Sequence, residues 1–141
     1  MTDSCTNLNW ENIVAGNTRE IRFEISQHDM DQFAALSGDH NPVHQSAAFA
    51  SQQGFDGCVV YGGLIVAQIS RMLGMEMPGR FGLWTGLNIQ FRKPLYIGEG
   101  AWLSLTVDAK SEAAKMIKLK IRVTTDRGLI ASAVCESVFT G

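Results

Sequence analysis

Asp39 and His44 are the two side chains in this sequence best suited to move protons together. They stand five positions apart in residues 33–44, FAALSGDHNPVH. Imidazole titrates near neutral pH, and a neighbouring carboxylate can orient the ring or share in activating a water. In a continuous helix a five-residue offset would turn the two side chains about 140° apart. Gly38, Asn41 and Pro42 argue against such a helix: glycine and asparagine favour turns, while Pro42 clashes with helix and biases Asn41 towards an extended conformation. A chain folded back here would aim both groups at one point. Asp39 and His44 then admit two readings: a turn stabilised by Asp39 with His44 packed on it, or an acid/base pair.

Gly62 and Gly63 precede the apolar run LIVAQISRMLGM. Glycine there lets a helix pack closely beneath a sheet, and that alone accounts for both residues. Alternatively, the first amides of the helix, which lack intrahelical partners and carry partial positive charge, face an anion. An oxyanion site in that place would stabilise an enolate or tetrahedral oxygen by roughly 3 to 4 kcal/mol.

Several neighbours bear on the chemistry. Ser70 lies about two turns along the same helix. No GxSxG elbow surrounds it, so a Ser-His-Asp hydrolase fits poorly, and a buried serine bonded to a carbonyl one turn earlier is the plainer account. Cys58 is either core or a nucleophile paired with His44. Tyr61 packs, or donates a hydrogen bond into the same space. His28, His40 and His44 make neither an HxH nor an HExxH arrangement, so no metal is expected. Arg92, Lys93, Lys118, Lys120 and Arg122 fall on strands; they form a solvated face, unless the substrate carries phosphates for them to hold.

The elements that must position these residues follow from periodicity. Residues 19–25 alternate, with Ile21, Phe23 and Ile25 on one face, as a strand does. Ser26 opens a capping-box variant with Asp29, so a helix should run to about Leu36, burying Met30, Phe33 and Ala34, and Gly38 should end it. Residues 45–52 are Ala-rich and read as a helical turn or two. In the run after Gly63, apolar residues cover most of the helix circumference, which predicts burial on nearly all sides, with Pro78 and Gly79 as the stop. From Leu83 onward the period is two. Four strands are expected, centred on Ile89, Leu105, Ile121 and residues 129–139, joined at Gly98–Gly100, around Ser111 and at 126–128, so that consecutive strands pair antiparallel. The fold class is therefore α+β, an antiparallel sheet wrapped around one long central helix.

Composition bounds the rest. A chain of 141 residues is one domain, residues 1–141. With 45% hydrophobic and 18% charged residues and a net charge of −2, it has a globular balance without the basic excess of a nucleic-acid binder. Cys5, Cys58 and Cys135 suggest neither a disulfide framework nor a metal pair, which fits a reducing cytoplasm. The N-terminus lacks the pattern of a secretory signal, and residues 64–77 are too short and too interrupted to span a membrane.

The stretch FAALSGDHNPVH, with the small Ala50 six residues beyond His44, resembles the hydratase motif of the MaoC-like dehydratases, in particular R-specific enoyl-CoA hydratases. Phe33, Leu36, Ser37, Gly38, Asp39, Asn41, Pro42, Val43, His44 and Ala50 all fall in register. The likeness extends more loosely through YGGLIVAQIS, MPG and LNIQFRKPLYIGE. It implies a hot-dog fold and a lyase, acting on trans-2-enoyl thioesters in either direction. Asp39 and His44 would be the catalytic pair, with an amide at Gly62 or Gly63 as the oxyanion hole and Asn41, Tyr61 and Ser70 lining the site. No metal or redox cofactor is implied; coenzyme A or acyl carrier protein enters as part of the substrate, and the chain is expected to form a homodimer. Many relatives carry His where Tyr61 stands and an acidic residue where Ser46 stands. A hot-dog thioesterase and a non-catalytic acyl-binding module are the alternatives.

Overall fold

The computed structural model describes residues 4–141; the first three residues of the N-terminal stretch lie outside them. Strand β1 (Thr18–Phe23) enters the sheet, and Ser26 then caps helix α1 (Gln27–Ser37). Both halves of the capping box form: Asp29 N–H donates to Ser26 Oγ at 3.1 Å, and Ser26 N–H donates to the Asp29 carboxylate at 2.9 Å. Such a cap is worth about 1 kcal/mol. Gly38 ends α1 in the left-handed region, φ +75°, which glycine adopts without strain. Met30 and Ala34 are buried beneath α1, while Phe33 is only partly covered.

Two short helices follow, α2 (Pro42–Gln45) and α3 (Ala47–Gln52), and then the long helix α4 (Gly62–Met75). Strands β2 (Gly82–Phe91), β3 (Ala101–Ser111), β4 (Met116–Thr125) and β5 (Gly128–Phe139) complete one antiparallel sheet in the order β1-β3-β4-β5-β2. Leu103, Leu105, Ile117, Leu119 and Cys135 project inward, fully buried, towards Ile65, Ile69, Met72 and Leu73 of α4. Each such aliphatic side chain removed from water contributes about 1.5 to 3 kcal/mol. This is the hot-dog arrangement, a sheet curled around one helix. No helix among the described residues is long and apolar enough to cross a membrane.

Three features depart from the sequence-based expectation. Pro42 begins a helix instead of preventing one: at the first position its missing N–H has no partner to lose, and Asn41 caps the turn by accepting from Val43 N–H at 3.1 Å. Strand β2 pairs with β5, not with the next strand β3. Pro94 has no amide to add to a ladder, and the buried Leu95 takes the chain inward, where its carbonyl accepts from Val60 N–H at 2.8 Å. Finally, α4 is buried on one side only. Gly63, Ala67, Ser70, Arg71 and Gly74 share an exposed stripe, and being small or polar they leave little apolar surface there to bury.

Candidate active site

Residues 37–44 are shaped by their own short polar side chains. Ser37 Oγ donates to the Phe33 carbonyl at 2.7 Å and accepts from Asp39 N–H at 3.1 Å. The Asp39 carboxylate in turn accepts from Asn41 N–H at 3.0 Å. These local bonds carry the chain from the end of α1 to the start of α2 in one defined path. Asn41, expected to line the site, spends its side-chain oxygen on the α2 cap, and Ser46 caps α3 through Phe49 N–H at 3.1 Å.

His44 is anchored from the strand side. Its Nδ1 lies 2.6 Å from the Val59 carbonyl oxygen, while Val59 N–H donates to the Val43 carbonyl at 3.0 Å. A carbonyl can only accept, so Nδ1 carries the hydrogen and, in the neutral ring, Nε2 carries the lone pair. One residue, Val59, thus holds both the ring and the backbone of α2 through its carbonyl and its N–H.

Tyr61 joins the two candidate catalytic residues. It is 1% exposed, its hydroxyl donates to the Asp39 carbonyl at 2.7 Å, and its ring stacks on His44 with centroids 4.1 Å apart. Phe33 covers the other side at 4.8 Å, so the phenol is sandwiched. Burial raises the Tyr61 pKa above its ordinary value; hydrogen bonding to Gln45 opposes this, and the negative charges of Asp39 and Asp31 add to it. The hydroxyl therefore remains a neutral donor through the physiological range.

His44 and Gly62 line one cleft of about 360 Å³, together with Val59, Ile65, Phe91 and Arg92 among others. Helix α4 has no side-chain cap at Tyr61, so its first amides have no partner from that residue's side chain. A Cβ at Gly62 would come within 3.0 Å of the Phe91 ring, and one at Gly63 would run into the Phe33 ring. The two glycines serve different neighbours: Gly62 borders the cleft, whereas Gly63 makes room for the aromatic sandwich. Asp39 is exposed and does not line this cleft; Tyr61 ties it to the His44 side only through its backbone carbonyl, and Ser70 lies on the outer stripe of α4, away from the cleft lining. Among the described residues no His, Cys, Asp and Glu form a group that could hold a metal ion.

Val59 and Phe91 carried no signal of a role in the site, and Phe33 carried only its place in the motif. Phe33 read as a core position of α1, Val59 contributes a backbone carbonyl that every residue has, and Phe91 read as the inward face of a strand. Each matters through a partner far away in sequence.

Comparisons with known proteins show the family and the fold. The MaoC like domain matches residues 12–128. The (R)-specific enoyl-CoA hydratase of Aeromonas caviae is 28% identical over 121 residues, covering 86% of this chain and 90% of that protein. The 3-hydroxybutyryl-CoA dehydratase of Methylorubrum extorquens is 33% identical over 110 residues, 78% of this chain and 66% of that one. Among solved structures, the A. caviae (R)-hydratase superposes with a TM-score of 0.87 at 26% identity, covering 92% of this chain and 98% of that one. An R-hydratase from Pseudomonas aeruginosa gives 0.85 at 27% identity, with 92% and 84% covered.

Proposed function

This chain belongs to the MaoC-like family, and on that premise we propose that it hydrates trans-2-enoyl thioesters to R-3-hydroxyacyl thioesters, or runs the reverse dehydration. The observation that carries the proposal is the His44 ring, its Nδ1 committed to the Val59 carbonyl and its Nε2 left for chemistry, in one cleft with the start of α4.

In the proposed reaction a water lies between His44 Nε2 and the Asp39 carboxylate. Its oxygen bonds to C3 of the substrate as a proton passes to the pair. The C2–C3 π electrons move towards the thioester carbonyl, whose oxygen becomes an enolate held by the amide of Gly62 or Gly63. The proton is then returned to C2, completing addition of one water with no change of oxidation state, so neither a metal nor a redox cofactor is required. Acid/base assistance is worth about 10² to 10⁴ in rate. The thiol carrier enters only as part of the substrate.

A homodimer is part of the proposal. Strand β2 is an outer strand of the sheet, and Leu83, Leu87 and Phe91 on it are 60%, 40% and 51% exposed. An open apolar edge of this kind favours pairing with a second copy. Because Phe91 also covers Gly62, the partner would border the cleft.

Incubation with crotonyl-CoA, followed by chiral analysis of the product, tests the function. The R-3-hydroxy thioester is expected. The S product would contradict the proposal, and release of free thiol with the double bond intact would identify a thioesterase instead. A chain without any turnover would be an acyl-binding module.

A further inference from the structure

On the outward face of the sheet, strands β2, β4 and β5 form a trough of about 310 Å³. Its shape follows from the register. Gln90, Ser132 and Arg122 make one rung across the three strands, and Asn88, Val134 and Lys120 make the next. Small side chains on the middle strand stand between longer ones on either side, with walls two strand spacings, about 10 Å, apart. Arg92 follows in the same series just beyond β2 and also lines the trough.

The lining holds three cations and no carboxylate. Lys120 is paired with Asp108 at 3.4 Å. The Arg92 and Arg122 guanidinium groups have no hydrogen bond or ion pair among the described residues. In contrast, Arg127 bonds to Glu99, Lys115 to Glu112, and Lys93 and Lys110 to backbone carbonyls. Two arginines left without a counter-charge on a chain of net charge −2 mark a place for an anion. Arg92 also lines the cleft that contains His44 and Gly62, so trough and cleft share one side chain.

We propose that this trough binds the phosphate groups of the substrate's thiol carrier, a nucleotide-bearing thiol of the coenzyme A type, while the acyl end occupies the cleft. The proposal rests on the reading of the cleft as an acyl-thioester site. Guanidinium forks bind phosphate oxygens in pairs, and the Asn88 and Gln90 amides and the Ser132 hydroxyl add neutral donors. A nucleotide fits a concavity of this size. An acidic carrier protein would have to cover the wider face, where the carboxylates of Asp108 and Glu136 also stand.

Arg122→Ala lies across the sheet from the cleft lining and tests the site. At low ionic strength its KM for crotonyl-CoA should rise roughly tenfold, the worth of one charge-assisted hydrogen bond, with kcat unchanged. Crotonyl-pantetheine, which has no phosphate, should barely distinguish variant from parent. Unchanged KM for crotonyl-CoA, or an equal rise on both substrates, overturns the proposal, as does turnover of crotonyl-carrier protein alone. Should Arg122→Ala fold poorly, Arg122→Gln replaces it. Calorimetric titration with coenzyme A itself separates this site from the proposed reaction: salt-sensitive binding weakened by Arg122→Ala supports the trough even in a protein that hydrates nothing. A parent that hydrates crotonyl-pantetheine but does not bind coenzyme A overturns the trough alone.

Discussion

Strands β3, β4 and β5 bury alternate side chains from Leu103 to Cys135 and tie their backbones into long ladders, each interrupted by one register shift. Residues 38–61 above the cleft have almost no such burial. They are held by Asx-type bonds at Asp39 and Asn41, by the backbone N–H and carbonyl of Val59 and by one aromatic sandwich. Stability therefore concentrates in the sheet, and the proposed chemistry in the bend. Substitutions in the first region should cost folding free energy, and those in the second should cost rate. Leu119→Ala is the sharpest case on the sheet side. It should lose about 2 to 5 kcal/mol in denaturant unfolding while the folded fraction keeps its turnover on crotonyl-CoA. A stable Leu119→Ala protein with poor turnover would erase the distinction.

Gly63→Ala probes where the two regions meet. A Cβ there displaces the Phe33 ring and with it one side of the Tyr61 sandwich. The expected cost is about 1 to 3 kcal/mol from overpacking, with a fall in kcat that Leu119→Ala does not produce. Tyr61→Phe keeps the stack and removes only the bond to the Asp39 carbonyl. It should lose about 0.5 to 1.5 kcal/mol of stability, and roughly tenfold in kcat if that bond sets the Asp39 position. An unaltered kcat and pH profile would reduce Tyr61 to packing.

The smallest effect belongs to the loop bordering the cleft. Arg127 donates to Glu99 at 2.6 and 2.7 Å and to the Pro94 carbonyl at 2.7 Å, joining the segment before β3 to the β4–β5 turn. Hydrogen bonding to Arg127 lowers the Glu99 pKa below its ordinary value of 4.5, with burial opposing. A carboxylate whose pKa is depressed in the folded state stabilises that state above its unfolded pKa and loses the contribution as pH falls through the folded value. Glu99→Gln should therefore destabilise by less than about 1 kcal/mol at pH 7, since the pair is partly exposed. The difference from the parent should shrink as pH drops below 4.5. A difference that grows on acidification would contradict the assignment.

The same division explains what could be read in the sequence. Period-two alternation identified the strands because burial on one face of a sheet is written every second residue, and Ser26 with Asp29 gave the start of α1 because a capping box is local. The motif residues Asp39 and His44 were legible as types. Their coupling through Tyr61 was not, because it depends on the Tyr61 ring meeting Phe33, 28 positions earlier, and His44, 17 positions earlier, and on a carbonyl at Val59. The pairing of β2 with β5 was equally hidden: the turn-like residues at 98–100 mark a change of direction but not the strand that the chain meets next. The exposed stripe of α4 is not legible either, because apolar residues around most of a helix do not reveal which side the sheet leaves uncovered.

Everything about the proposed chemistry turns on Asp39 and His44 acting on one water. Initial rates of crotonyl-CoA hydration, followed by loss of absorbance of the conjugated thioester, are to be compared for the parent, Asp39→Asn and His44→Ala at matched folded concentration. Both variants should fall by about 10² to 10⁴ with unfolding transitions close to the parent's. Either variant turning over at the parental rate would contradict the account.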